Sequence, residues 1–172
     1  MKLDDDDFTL FGLPRRFALD RAQLDDCWRA LQAKVHPDRF ASEGASAQRL
    51  AMQWAVRVNE AYQRLKDPLK RATLLCELGG APIQAESNTA MPPAFLMQQM
   101  EWRESLEAAK TLEQVEALDE QIAEHERVVF ERVRQALDER HDPVAAAQLV
   151  RALMFVARFR SDIDHRLEAL GQ

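Results

Sequence analysis

The stretch ALQAKVHPDRF, residues 30–40, decides how this chain is read. It closes one amphipathic helix and opens a loop that leads into another. Leu24, Trp28, Leu31 and Val35 recur at spacings of three and four, so a helix over 21–35 carries them on one buried face. Asp20 stands before it as an N-cap. Pro37 disfavours helical backbone in the residue before it, so the helix stops at His36. A loop runs from Asp38 to about Ser46. The next helix reaches Lys66, with Ala51, Trp54, Val58, Ala61, Tyr62 and Leu65 on its inner face.

Working outward, FTLFGLP (residues 8–14) predicts one helical turn ended by Gly12 and Pro14. Asp67-Pro68 is a cap followed by proline at the first helical position. The helix it starts carries Leu69, Ala72, Leu75, Cys76 and Leu78 and stops at Gly79-Gly80. Residues 79–93, GGAPIQAESNTAMPP, hold three prolines and no helical period, so they read as a linker. Helices are then predicted over 94–109, 111–140 and 144–170. The last has a seam at Leu149, Leu153, Val156, Ile163, Leu167 and Leu170, interrupted by Arg160. Short turns between helices of this length predict an antiparallel three-helix bundle. No segment alternates as a strand would, so the expected class is all-α.

Charge and composition exclude several functions. The net charge of −6 and the sequence pI near 5.3 do not suit a surface for nucleic acid or anionic lipid. No run approaches the roughly 18 apolar residues of a membrane span. The opening MKLDDDD has no apolar core, so neither a secretory leader nor a mitochondrial presequence is expected. Its acidic run, Asp4–Asp7, reads as a solvated, frayed end. Two isolated cysteines, Cys27 on the buried side of its helix and Cys76 in an apolar one, fit a reducing compartment and core positions. The expected location is the cytoplasm. His36, Asp38 and His125 lack the second histidine–carboxylate group of a metallohydrolase, and His125 reads as a packing residue near its helix seam. There is no Gly-rich phosphate loop. No catalytic group, metal or cofactor is therefore expected, and the chain reads as a non-enzyme.

The first helix after the linker is the most informative part of the second half. At about 100° per residue, Phe95, Trp102, Leu106 and Ala109 fall within about 40° of one direction. Leu96, Met97 and Met100 lie about 100° to 200° away, among Glu101, Glu104 and Glu107. One core cannot easily take both faces. The second face either packs on a neighbouring element or is left open as an adaptable docking patch rimmed by carboxylates. Phe155 sits about 100° off the seam of the last helix, and the pattern alone leaves it open between lateral packing and docking.

The short opening helix, the HPD loop between two amphipathic helices and the close NEAYQRLKDP (residues 59–68) resemble a J domain. FTLFGLP, HPDRFA, LKDPLKRA and AFLMQQME together resemble the HscB family of J-domain co-chaperones of iron–sulfur cluster assembly, over Phe8 to about Leu170. Only seven residues precede Phe8, with no cysteine-rich segment, which is similar to the bacterial form. The resemblance implies a J domain over 8–78, a linker over 79–93 and a helical scaffold-binding domain over 94–172. It implies that the ATPase of a DnaK-class, HscA-like chaperone is stimulated through His36, Pro37, Asp38 and Arg39 and the exposed helix face carrying Arg29 and Lys34. It also implies that Leu96, Met97, Met100, Glu101, Glu104 and Phe155 hold an IscU-like scaffold. Two departures stand out. Asp25 and Asp26 dilute the basic helix face, and Ala108 occupies a position where the docking helix is expected to be acidic.

Overall fold

The computed structural model describes residues 1–171. Seven α-helices and no strand are found among them: α1 (Asp7–Phe11), α2 (Arg21–Val35), α3 (Ala45–Lys66), α4 (Pro68–Leu78), α5 (Pro93–Ala108), α6 (Leu112–Arg134) and α7 (Pro143–Gly171). The chain divides into two compact units. One is Met1–Leu75, and the other runs from Cys76 through the remaining described residues. No helix among the described residues is long and apolar enough to cross a membrane.

In the N-terminal unit the helix signals act as expected. The Asp20 carboxylate accepts from the Ala22 and Gln23 amides, and the Asp67 carboxylate from those of Leu69 and Lys70. Gly12 caps α1 at φ 66°, a left-handed conformation that a glycine adopts without a Cβ penalty. Helices α2 and α3 pair as a hairpin around Leu24, Val35, Ala51, Val58, Ala61 and Leu65. Phe8, Leu10 and Phe11 of α1 are buried too, with α1 packed on both hairpin helices. Arg71 of α4 donates to the Phe17 and Leu65 carbonyls while its guanidinium lies over the Phe17 ring.

Trp28, Leu31, Trp54 and Cys27 are only half-buried, not core. Trp28 lies along the hairpin edge, stacked on Tyr62 with ring centroids 4.5 Å apart, and its Nε1 donates to Asn59 at 3.0 Å. An indole so placed buries its rings and keeps a partner for its N–H.

The acidic N-terminus departs most from expectation. It is not a frayed end. Asp6 caps α1 and accepts from Arg15, and Asp7 is 2% exposed. The Asp7 carboxylate takes two hydrogen bonds from Arg64, at 2.6 and 3.0 Å, and lies 2.8 Å from Arg57 Nη1. Burying a charge in this way requires such partners, and they stand 50 and 57 residues along the chain on α3.

In the C-terminal unit, α5, α6 and α7 enclose Phe95, Trp102, Val115, Ile122, Val156 and Ile163 among others. A Thr111–Gln114 capping box starts α6, one residue beyond the expected start. That helix ends in a π turn, Gln135–Glu139, in place of the continuous helix expected to residue 140. On α7 the buried face is Ala146, Val150, Leu153, Val156, Phe159 and Ile163, so Leu149, Leu167 and Leu170 sit at its margin. The interrupting Arg160 reaches Asp119 and Glu126 on α6. Arg151, although charged, is buried, and it donates to the Ile83 and Ala90 carbonyls at 3.0 Å each. These bonds fasten the non-helical stretch before α5 to the bundle.

Replacing Asp7 with alanine is expected to lower the unfolding free energy of the full chain by about 3 kcal/mol, because two guanidinium groups lose their common carboxylate. Urea denaturation followed by tryptophan fluorescence measures it. An unchanged midpoint would mean that the carboxylate is solvated after all.

Candidate functional site

The first candidate site is the tip of the α2–α3 hairpin. Pro37 holds His36 extended, at φ −59° and ψ 130°, and starts a 3-10 turn over Pro37–Phe40. The Asp38 amide donates to His36 Nδ1 at 3.2 Å, so the imidazole caps the start of the turn. The Asp38 carboxylate is left 92% exposed. An anion presented on a pinned backbone suits recognition by a cationic group such as a guanidinium. Arg39 turns back and donates to the Ala33 carbonyl in the last turn of α2, which anchors the loop. Arg29 pairs with exposed Asp26 and Arg21 with half-buried Asp25, so the positive face of α2 is largely neutralised by its own aspartates. Lys34 lines a groove of about 530 Å³ beside the loop, together with Val35, Phe40, Leu50 and Trp54.

The second candidate site is α5, where the structure separates two faces. Phe95 and Trp102 are buried, the latter to 2% exposure. Leu96, Met97 and Met100 are 53%, 69% and 64% exposed, and Glu101 and Glu104 are exposed beside them. Among the described residues of the C-terminal unit, no element packs over this apolar face. Phe155 takes an intermediate position. It is half-buried against the core, edge-on to Phe95 with centroids 5.9 Å apart, and the Arg103 guanidinium lies 5.5 Å above its ring. Arg103 is thus a residue of this surface that the reading of the sequence passed over. Its signal was present: on the helix it falls about 20° from Leu96.

Beneath α5 lies His125 of α6, its ring 4.9 Å from that of Trp102 and 6.1 Å from that of Phe95. Its Nε2 and the Trp102 Nε1 are buried without a hydrogen bond. Burial, with a smaller contribution from the Arg132 charge, pushes the His125 pKa below its ordinary value. The imidazole is therefore a neutral packing group. Cys76 is fully buried, and desolvation pushes its thiol up to about 11. Among the described residues no group of three or more His, Cys, Asp or Glu side chains could hold a metal.

Comparison with known proteins now bears on both sites. The family described as HSCB C-terminal oligomerisation domain matches residues 91–164, which include all of α5 and most of α7. Curated relatives extend the match over nearly everything else. A co-chaperone protein HscB homolog of Burkholderia multivorans is 54% identical, covering 99% of this chain and 98% of its own. The chain belongs to the HscB co-chaperone family. A second HscB homolog, from Paraburkholderia xenovorans, is 52% identical over 98% of this chain and 97% of its own. Solved HscB structures agree in fold. Chaperone HscB from Vibrio cholerae has a TM-score of 0.85 at 36% identity, covering 96% of this chain and 99% of its own. Human co-chaperone HscB has a TM-score of 0.88 at 25% identity, covering 96% and 84%. The HscB architecture, a J domain followed by a C-terminal helical domain, is thereby that of this chain.

The two faces of α5 should separate in stability measurements. Trp102→Ala is expected to cost about 3–5 kcal/mol, while Met97→Ala changes stability by less than about 0.5 kcal/mol. Chemical denaturation of both variants checks this, and comparable losses would show that Met97 is packed. His125 gives a pH signature. Its folded pKa lies below the unfolded value, so the unfolded chain binds the extra proton and stability falls as pH drops through about 6.5. His125→Phe should flatten the stability profile between about pH 7 and 5. Melting temperatures across that range measure it, and an unaltered slope in the variant would assign the dependence to other groups.

Proposed function

We propose that this chain is a cytoplasmic co-chaperone of iron–sulfur cluster biogenesis. In this reading it stimulates ATP hydrolysis by a DnaK-class, HscA-like chaperone and delivers to it an IscU-type scaffold. Residues 8–78 act as the J domain, 79–93 as the linker and 94–172 as the scaffold-binding domain. The observation that carries the reading is the presence on one chain of two prepared surfaces, the pinned HPD turn with its exposed carboxylate and the open Leu96–Met97–Met100 face. Membership of the HscB family supports their pairing with a chaperone and a scaffold.

On the chaperone side, Asp38 pairs with a cation of the partner while His36 and Pro37 hold its backbone. Arg39 anchors the turn, and Arg29 and Lys34 flank the contact. ATP is hydrolysed on the partner, so none of these residues performs chemistry. On the scaffold side, Leu96, Met97 and Met100 bury against apolar side chains of the client, Glu101 and Glu104 set the rim, and Phe155 extends the contact from α7. Burial of apolar area drives the association, against the cost of bringing two chains together, and the flexible thioethers adapt to the client surface. Holding both partners on one chain raises the effective concentration of the second encounter. The cluster is cargo of the scaffold in this scheme and touches no residue of this chain.

Single-turnover ATP hydrolysis by the cognate chaperone, with and without this chain and the scaffold, tests the division of labour. Asp38→Asn is expected to abolish stimulation. Met97→Glu should keep the basal stimulation and lose the scaffold-dependent part, a fall of about tenfold or more in scaffold affinity. Stimulation that ignores the scaffold would assign the α5 face to another client. No stimulation at all would refute the J-domain role.

A further inference from the structure

We propose that residues 1–5 form a removable strap over the apolar groove at the HPD end of the α2–α3 hairpin, masking part of the surface on which the ATPase partner docks. The inference rests on the chaperone-docking reading of the HPD loop. It comes from the path of the segment. Asp7 is fixed to Arg64. Two helical turns back along α3, Arg57 donates from Nε to the Leu3 carbonyl at 3.1 Å and from Nη2 to the Asp5 carbonyl at 2.6 Å. Two turns further back stands Leu50, which lines the groove beside the HPD loop together with Met1. Arg64, Arg57 and Leu50 are seven residues apart, so they mark one stripe of α3 with steps of about 10 Å. The segment follows this stripe toward the HPD loop. A turn tightens it, with the Asp5 amide donating to the Lys2 carbonyl and the Lys2 amide to the Asp5 carboxylate.

The groove needs a cover and the strap is suited to being a loose one. Leu50 remains half exposed and Lys34 and Val35 of the wall directly precede His36, so an apolar surface adjoins the docking loop. Met1 covers part of it without a fixed fit, being itself 54% exposed. The anchors are two backbone carbonyls on one guanidinium, which water can replace when the strap lifts. A partner that seats an apolar side chain in the groove must first displace Met1. Its apparent affinity is then reduced by the fraction of time the groove is open.

Two variants test the strap in the full-length chain: deletion of residues 2–5, and Arg57→Leu, which removes both carbonyl anchors and leaves Asp7 paired with Arg64. Each is titrated against the DnaK-class partner in single-turnover ATP hydrolysis. Half-maximal stimulation is expected at about fivefold lower concentration than for the unaltered chain, with the maximal rate unchanged, as for a groove that is covered about four-fifths of the time. An unchanged or higher half-maximal concentration in the deletion variant overturns the strap, which would then be neutral or part of the docking surface. If Arg57→Leu loses its thermal transition, the deletion variant alone decides. Failure of the unaltered chain to stimulate at all would instead overturn the HPD reading, and the strap with it.

Discussion

A helix that buries one face must present the other, and the function proposed for the C-terminal unit depends on that constraint in α5. Phe95 and Trp102 commit the helix to the bundle through ring contacts with His125, Phe155 and Phe159. With 3.6 residues per turn, Leu96, Met97 and Met100 then have no route to that core. The exposed apolar face is thus held open by packing on its far side. Its orientation follows from a rigid element, where a loop would leave it variable.

Charged side chains do the long-range fastening in both units. Arg57 and Arg64 secure the N-terminus, Arg71 secures the segment after α1, Arg151 secures the stretch before α5, and Arg166 reaches the Ala109 carbonyl at the end of that helix. In most of these the acceptor is a backbone carbonyl outside regular structure, a group that would otherwise lose its water on burial. A guanidinium can reach two such groups at once because its donors are fixed in a planar fork. Short helices and non-helical segments are tied into a folded unit by this means, in addition to the apolar side chains they bury.

What could be read from the sequence were the features that depend on near neighbours. The caps at Asp20 and Asp67, the stop at His36-Pro37 and the two faces of α5 are consequences of spacing over a few residues. The half-burial of Trp28 and Trp54 was not legible, because periodicity gives the side of a helix and not how far the hairpin edge extends over it. The burial of Asp7 was hidden for another reason. A run of four aspartates looks solvated unless Arg57 and Arg64 are known to lie against it, and that follows only from the packing of α1 on α3. The buried Arg151 was missed likewise, since its acceptors are carbonyls, which no residue type announces. The π turn at 135–139 left no periodic signal, since it alters the helix phase by a single residue.

The burial of Cys76 has a consequence for metal chemistry. Sulfur binds iron as thiolate, and a thiol whose pKa is pushed to about 11 is almost wholly protonated at neutral pH. With its side chain fully enclosed as well, Cys76 is neither an accessible ligand nor an ionised one. In the function proposed above, this sulfur would stay out of competition with the ligands that the scaffold itself offers to the cluster.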